Sequence, residues 1–179
     1  MKIKVMTNTL NSYKYASEAI KGYSISKVAS KEKNDCFVRA IATATDTVYD
    51  TAHKYTKEVF GRKNGQGTRF TSMTMMKLEE EGMVIGDKKF KVKVLSKSNI
   101  TNAYKLHGDV VLRKKTVKSF IKTYPKGTYI VGVSKHAFTI KDGVLIDNQG
   151  EEFRPTRKVD SAFKIIDKTA PRNIQLKLF

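Results

Sequence analysis

Apolar residues in the first half of the chain recur at helical spacing. From Asn34 to Thr45 they fall three or four residues apart, at Phe37, Val38, Ile41 and Ala42. This spacing places them on one face of an amphipathic helix. Asn34 and Asp35 both belong to the residue types that cap a helix N-terminus. We therefore expect a first helix that begins at one of these two residues and runs to about Thr45.

Two further helices are expected between Thr47 and Gly82. The segment "TVYDTAHKYTKEVFG" has Thr47 as its cap and Gly61 as its stop, so it forms a helical hairpin with the first helix. The segment "TSMTMMKLEEEG" reads as a third helix from Thr71 to the stop at Gly82. Between them, "GRKNGQGTRF" combines three glycines with three cations, which is typical of an exposed, flexible loop.

The period of the pattern changes from helical to alternating in the second half. Apolar residues alternate with lysine from Lys89 to Ser96, as in a strand with one solvent-exposed face. A short helix, "KTVKSFIKTY", ends before Pro125, and the apolar runs "GTYIVGV", "HAFTI", "VLID" and "AFKIID" predict four more strands. Asp142-Gly143 is a strong hairpin turn signal. Helices followed by an antiparallel sheet indicate the α+β class.

The chain of 179 residues is long enough for one domain with a substantial core. We expect a single domain over 1–179, with a short strand in "KIKVM" and an otherwise irregular lead-in to residue 33, a core over 34–167 and a tail over 168–179.

Charge points to the kind of partner. Lys and Arg number 35 against 17 Asp and Glu, a net charge of +18 that attracts nucleic acid or acidic protein surfaces. No apolar run approaches the roughly 20 residues that cross a bilayer, so no membrane partner is expected. A single cysteine excludes an internal disulfide and favours a reducing, cytoplasmic setting. The scattered histidines fit no zinc pattern, and neither a metal nor another cofactor is expected.

The loop from Gly61 to Arg69 is a candidate anion-binding surface. Arg62, Lys63 and Arg69 flank glycines that let a backbone approach a phosphate closely. The alternative is a solvated loop in a lysine-rich protein.

The single cysteine, Cys36, falls in the first turn of the first predicted helix. Unpaired N–H groups and the helix dipole stabilise a thiolate there and can also hold the oxyanion of an acyl-transfer intermediate. Cys36 is therefore a candidate nucleophile, the alternative being a small buried apolar residue.

One of the three histidines stands beside groups that would orient it. His53 is expected on the surface or at the boundary of the second helix, and His107 in a turn of an irregular segment. His136 opens a strand and faces Asp147 and Asn148 across the Asp142-Gly143 turn. A general base needs an orienting partner on its second ring nitrogen, and His136 has candidates for that role.

The predicted turn sets the register of this hairpin. With a two-residue turn, Lys141 pairs with Val144 and His136 with Gln149. Asp147 then shares a face with His136 as its diagonal neighbour, while a slip of one residue would present Asn148 instead. Asp147 is the preferred partner of His136 and Asn148 the alternative.

Cysteine at a helix start, followed by His on one strand and Asp or Asn on the next, resembles the papain-like cysteine peptidases. The segment "NDCFVRAIA" is similar to the cysteine segment of ovarian-tumour-type deubiquitinases and of small papain-like proteins encoded by bacteriophages. The resemblance implies a papain-like fold, with Cys36 as nucleophile, His136 as base and Asp147 or Asn148 as orienting residue. It also implies a phage protein that acts in the host cytoplasm or the virion.

The chain departs from these families before the cysteine. Papain has a Gln there as an oxyanion donor, and 28–35 of this chain contains none. Asn34 is the substitute donor or, alternatively, a helix cap. Two functions follow: a cysteine hydrolase of peptide or isopeptide bonds that acts on an acidic or nucleic-acid-associated protein, or a basic binding protein that grips nucleic acid or a host protein with the same scaffold.

Overall fold

The computed structural model describes residues 13–69 and 71–169. Its helices are α1 (Ala16–Ala19), α2 (Cys36–Thr45), α3 (Tyr49–Phe60), α4 (Ser72–Glu81), α5 (Lys97–Ile100) and α6 (Val117–Thr123). Its strands are β1 (Tyr13–Tyr15), β2 (Met83–Ile85), β3 (Lys88–Val94), β4 (Thr101–Leu106), β5 (Asp109–Lys114), β6 (Thr128–Val133), β7 (His136–Lys141), β8 (Val144–Asp147) and β9 (Val159–Asp167). The α+β class predicted from the sequence is confirmed.

Seven of these strands form one sheet, in the order β1-β8-β7-β6-β9-β3-β2. All neighbours are antiparallel except β1, which runs parallel to β8. The strands β4 and β5 form a separate two-stranded sheet.

Apolar side chains fill both faces of the large sheet. On one face, the buried side of α2, α3 and α4 packs against strand residues such as Ile130 and Phe163. On the other face, Phe120 of α6 packs with Phe138 and with other strand residues whose side chains point to that face. Because β6, β7 and β8 are covered on both faces, the strand ends that carry His136 and Asp147 are held in a rigid layer.

Capping and turn residues set the ends of several elements, although the N-cap of α3 is Val48 rather than the predicted Thr47. Gly61 ends α3 in the left-handed conformation at φ 61°, and the Thr71 side chain accepts a hydrogen bond from the backbone of Thr74 at the start of α4. Asp142 and Gly143 both have positive φ, as a two-residue hairpin turn requires. The predicted cap of α2 is partly wrong: Asp35 is the N-cap residue, but its side chain makes no cap hydrogen bond.

Several predictions for the remaining segments need correction. The segment that holds His107 is the ordered hairpin β4–β5, with His107 in its turn, rather than irregular sequence. The lead-in is not wholly irregular, since β1 joins the sheet and Tyr13, Ala16 and Ile20 are buried. The predicted strand "KIKVM" lies outside the described residues. Within 13–69 and 71–169, no helix has the length and apolar character that crossing a membrane requires.

Candidate active site

Cys36 is the first residue of α2 and is partly exposed. The helix that carries it is tied to strand β7 by a buried pair of hydroxyls. The hydroxyl of Thr139 donates to the Ala40 carbonyl at 2.8 Å and lies 2.7 Å from that of Thr43. These bonds fix the helix along the strand that begins at His136, so the position of Cys36 relative to His136 is set by the packing of α2 on β7.

His136 and Asp147 lie at the same end of the sheet, because β7 begins there and the antiparallel β8 ends there. The register pairs Lys141 with Val144, as predicted from the two-residue turn. Nε2 of His136 lies 2.8 Å from Oδ2 of Asp147, and the side chains are 10% and 3% exposed. The preference for Asp147 over Asn148 as the group that contacts His136 agrees with this geometry.

Cys36 and His136 line the same cleft, and each of them shifts the pKa of the other. Burial favours the neutral thiol, but the hydrogen bond and charge of His136, the backbone of Ala137 and the charge of Arg39 together hold the pKa of Cys36 below its ordinary value.

The imidazole is shifted in the complementary direction. Burial disfavours its charged form, yet the hydrogen bonds to Asp147 and Cys36, and the negative charges of both, raise the pKa of His136 to about 9. A lowered thiol pKa beside a raised imidazole pKa shifts the pair toward thiolate and imidazolium.

Asn148 and Asn34 lie beside this chain of side chains rather than in it. Oδ1 of Asn148 accepts a hydrogen bond from the backbone of Ser17 at 2.9 Å, so it ties the strand end to α1. The amide of Asn34 donates to the Gly65 carbonyl at 3.1 Å, and the residue has a positive φ of 54°. Asn34 precedes the N-cap residue, so its predicted role as the cap is wrong. Both residues line the cleft over Cys36.

A buried ionic cluster anchors the segment that leads into Cys36. Oε2 of Glu32 lies 2.6 Å from Nη2 of Arg62 and accepts the backbone N–H of Gly65 at 2.9 Å. Oε1 of Glu32 lies 2.9 Å from Nε2 of His53. After the cost of burial, these partners lower the pKa of Glu32 to about 2.

Two predictions fail in this cluster. The Arg62 side chain is 0% exposed, so the guanidinium pairs with Glu32 inside the protein and presents no charge to a phosphate. His53 is buried rather than at the surface. Lys63 and Arg69 of the same loop are exposed, and whether they bind an anion stays a prediction.

Asp35, immediately before Cys36, is also held in place. Its Oδ2 accepts a hydrogen bond from the Tyr49 hydroxyl at 2.7 Å, and its Oδ1 lies 3.2 Å from Nη2 of Arg39. Burial and the neighbouring Asp35 raise the pKa of Tyr49. The backbone N-terminal to Cys36 is thus clamped to α3 by the carboxylates of Glu32 and Asp35.

An open cleft of about 850 Å³ lies over the Cys36–His136 pair. The cleft is lined by residues of the loop after α3, of the β6–β7 turn and of β9. Its lining residues include Asn34, Phe37, Arg39, Gly67, Thr68, Gly132, Lys135, Asn148, Gln149, Asp160 and Ser161. The side chain of Cys36 is therefore open to solvent through this cleft.

The sequence interpretation missed the residues that anchor the segment before Cys36. Glu32 lies in an aperiodic, charged stretch, and its partners are 21 and 30 residues away. One signal was present: Tyr49 and His53 are four residues apart and share a face of α3 with the buried Ala52. Polar groups on such a face need partners, and here those partners are Asp35 and Glu32.

No protein-family model matches the chain, and comparison with curated proteins and with solved structures gives no match either.

Proposed function

We propose that this protein is a cysteine hydrolase with a papain-like arrangement of its site, which cleaves a peptide or isopeptide bond. The observation that carries the proposal is the contact between His136 and Asp147, together with the open cleft that both His136 and Cys36 line. A nucleophile, a base and a group that orients the base are the parts that such catalysis needs.

In the proposed reaction the Cys36 thiolate attacks the scissile carbonyl carbon and forms a tetrahedral oxyanion. His136 carries the proton taken from the thiol and gives it to the leaving amine as the C–N bond breaks, which leaves a thioester on Cys36. His136 then accepts a proton from water, the hydroxide attacks the thioester, and the acid product leaves as the thiol is restored. Asp147 keeps the imidazole oriented and stabilises its positive charge.

In this proposal the oxyanion binds to the backbone N–H groups at the N-terminus of α2. The first N–H groups of a helix have no partner inside the helix and carry its positive dipole end. The Asn34 amide uses one N–H for Gly65 and has a second one to offer. The net charge of +18 favours an acidic protein, or one bound to nucleic acid, as substrate.

The test uses fluorogenic peptide amides that together present each amino acid before the scissile bond, and an activated ester as a small acyl donor. We expect amide hydrolysis, together with an acyl group on Cys36 that hydroxylamine removes. Both should be lost in Cys36→Ala, and hydrolysis should be lost in His136→Ala. If the parent protein neither cleaves an amide nor forms an acyl-enzyme, the hydrolase proposal fails and the basic binding protein becomes the better account.

A further inference from the structure

The hairpin β4–β5 exposes large apolar side chains on both of its faces. Val110 and Leu112 are each 66% exposed and lie on one face of the hairpin. Their cross-strand partners on that face are Lys105 and Ala103. The other face carries Tyr104 and Leu106, which are 49% and 46% exposed. An isolated hairpin is marginally stable by itself, and exposed apolar patches commonly mark interaction sites.

The root of this hairpin is fixed at the rim of the cleft. Nζ of Lys114 lies 2.5 Å from Oδ1 of Asp160, which lines the cleft. The buried Lys115 donates to the Thr101 carbonyl at 2.6 Å. Because the strands are six residues long, the hairpin reaches roughly 20 Å from this root.

The charge of the hairpin indicates the chemistry of the partner that it can bind. Residues 101–114 carry Lys105, Arg113 and Lys114 against the single acid Asp109. The guanidinium of Arg113 lies 5.9 Å from the ring centre of Tyr104, so cation and apolar surface are adjacent. Among the described residues no third strand pairs with β4 or β5, and an extended segment can add to either edge.

We propose that the β4–β5 hairpin is a docking arm for an extended protein segment that combines acidic and aliphatic side chains. The arm delivers the protein that carries this segment to the cleft. The identification of that protein as the substrate rests on the proposed hydrolase function, whereas the binding itself does not.

Two other occupants fit the arm less well. Nucleic acid would use cations and stacking rings, but the outer part of the arm offers the aliphatic Leu106, Val110 and Leu112. A second copy of this chain would bring another +18 of like charge to the arm.

The test selects displayed short peptides on Cys36→Ala and then measures affinities of the selected peptides. The arm variant is Val110→Thr with Leu112→Thr, since threonine suits a strand. The matched control is Met73→Gln with Met76→Gln, which removes side chains 80% and 71% exposed on α4. We expect selected peptides rich in Asp, Glu and aliphatic residues, whose affinity falls about tenfold or more in the arm variant and is unchanged in the control.

The proposal is overturned if selection enriches no such peptides or if they bind the arm variant as well as the parent. It is also overturned if the arm variant instead loses binding to single-stranded DNA or RNA, or loses self-association seen by sedimentation. Alkylation of Cys36 should be equal in the parent and the arm variant. An inert Cys36 in both would refute the hydrolase proposal alone, whereas unchanged peptide affinity would refute the arm alone.

Discussion

The imidazole of His136 and the carboxylate of Asp147 meet at 2.8 Å across the β7–β8 hairpin, eleven residues apart in the chain. The contact follows from the Asp142-Gly143 turn, which sets the register and places both side chains on one face. The neighbouring Asn148 points to a different partner, the backbone of Ser17. The hairpin therefore determines that Asp147, rather than Asn148, contacts His136.

Replacing Asp147 by Asn should lower the pKa of His136. The substitution keeps the size of the side chain but removes the negative charge that favours the imidazolium, so the value should fall from about 9 toward the ordinary 6.5. The titration of the His136 ring resonances by NMR measures this directly, in a protein with three histidines. Asn148→Ala is the control and should leave the His136 titration unchanged. An equal fall of the His136 pKa in both variants would contradict the assignment of Asp147.

The sequence predicted this part of the site because the signal was local. A strong turn dipeptide fixed the hairpin register, and the parity of the strand then placed Asp147 beside His136. The cluster of Glu32, His53 and Arg62 could not be predicted in the same way. Its members come from a loop, a helix and the loop after that helix, and only the three-dimensional packing of α3 brings them together.

Replacing Thr139 by Val should destabilise the protein and disturb Cys36. The buried hydroxyl contacts Ala40 and Thr43 of α2, and valine leaves the Ala40 carbonyl without that donor. We expect a loss of about 1–3 kcal/mol in the free energy of unfolding, measured by urea denaturation, and slower alkylation of Cys36. Thr123→Val, at an exposed position of α6, should change the unfolding free energy by less than about 0.5 kcal/mol. Equal stability of the two variants would show that the hydroxyl pair does not hold α2.

The β4–β5 hairpin eluded sequence interpretation for a physical reason. Alternation of apolar and polar residues arises when one face of a strand lies on a core. Neither face of this hairpin lies on the core, and its apolar residues occur on both faces. The segment around His107 therefore has no period that indicates a strand. By contrast, β3 was predicted from the alternation of buried Phe90 and Val92 with lysines.

Replacing Glu32 by Gln should cost about 3–5 kcal/mol of unfolding free energy, because Arg62 would be left buried without its counter-charge. The pKa shift of Glu32 determines how this loss of unfolding free energy changes with pH. The pKa of Glu32 is lowered from 4.5 to about 2 by folding, so its contribution is fully present above pH 4.5 and is lost as the pH falls toward 2. Urea denaturation at several pH values between 2 and 7 should show the gap between parent and variant closing as the pH falls.

The control for Glu32 is Glu58→Gln, which removes an exposed pairing with Lys54 at 3.9 Å. Exposed pairs of this kind contribute little, and the variant should follow the parent within about 0.5 kcal/mol at every pH. A gap for Glu32→Gln that stays constant from pH 7 to pH 2 would contradict the buried ion pair as the source of its stability.

Whether Cys36 and His136 form a reactive pair is tested by the rate of alkylation of Cys36 against pH, in the parent and in His136→Ala. The chain has one thiol, so the reaction reports on Cys36 alone. In the parent we expect the thiol to titrate with a pKa below the ~8.5 of free cysteine. In His136→Ala we expect ordinary titration and a reaction about tenfold or more slower near pH 6.5. A thiol that titrates ordinarily in both proteins would show that His136 does not activate Cys36.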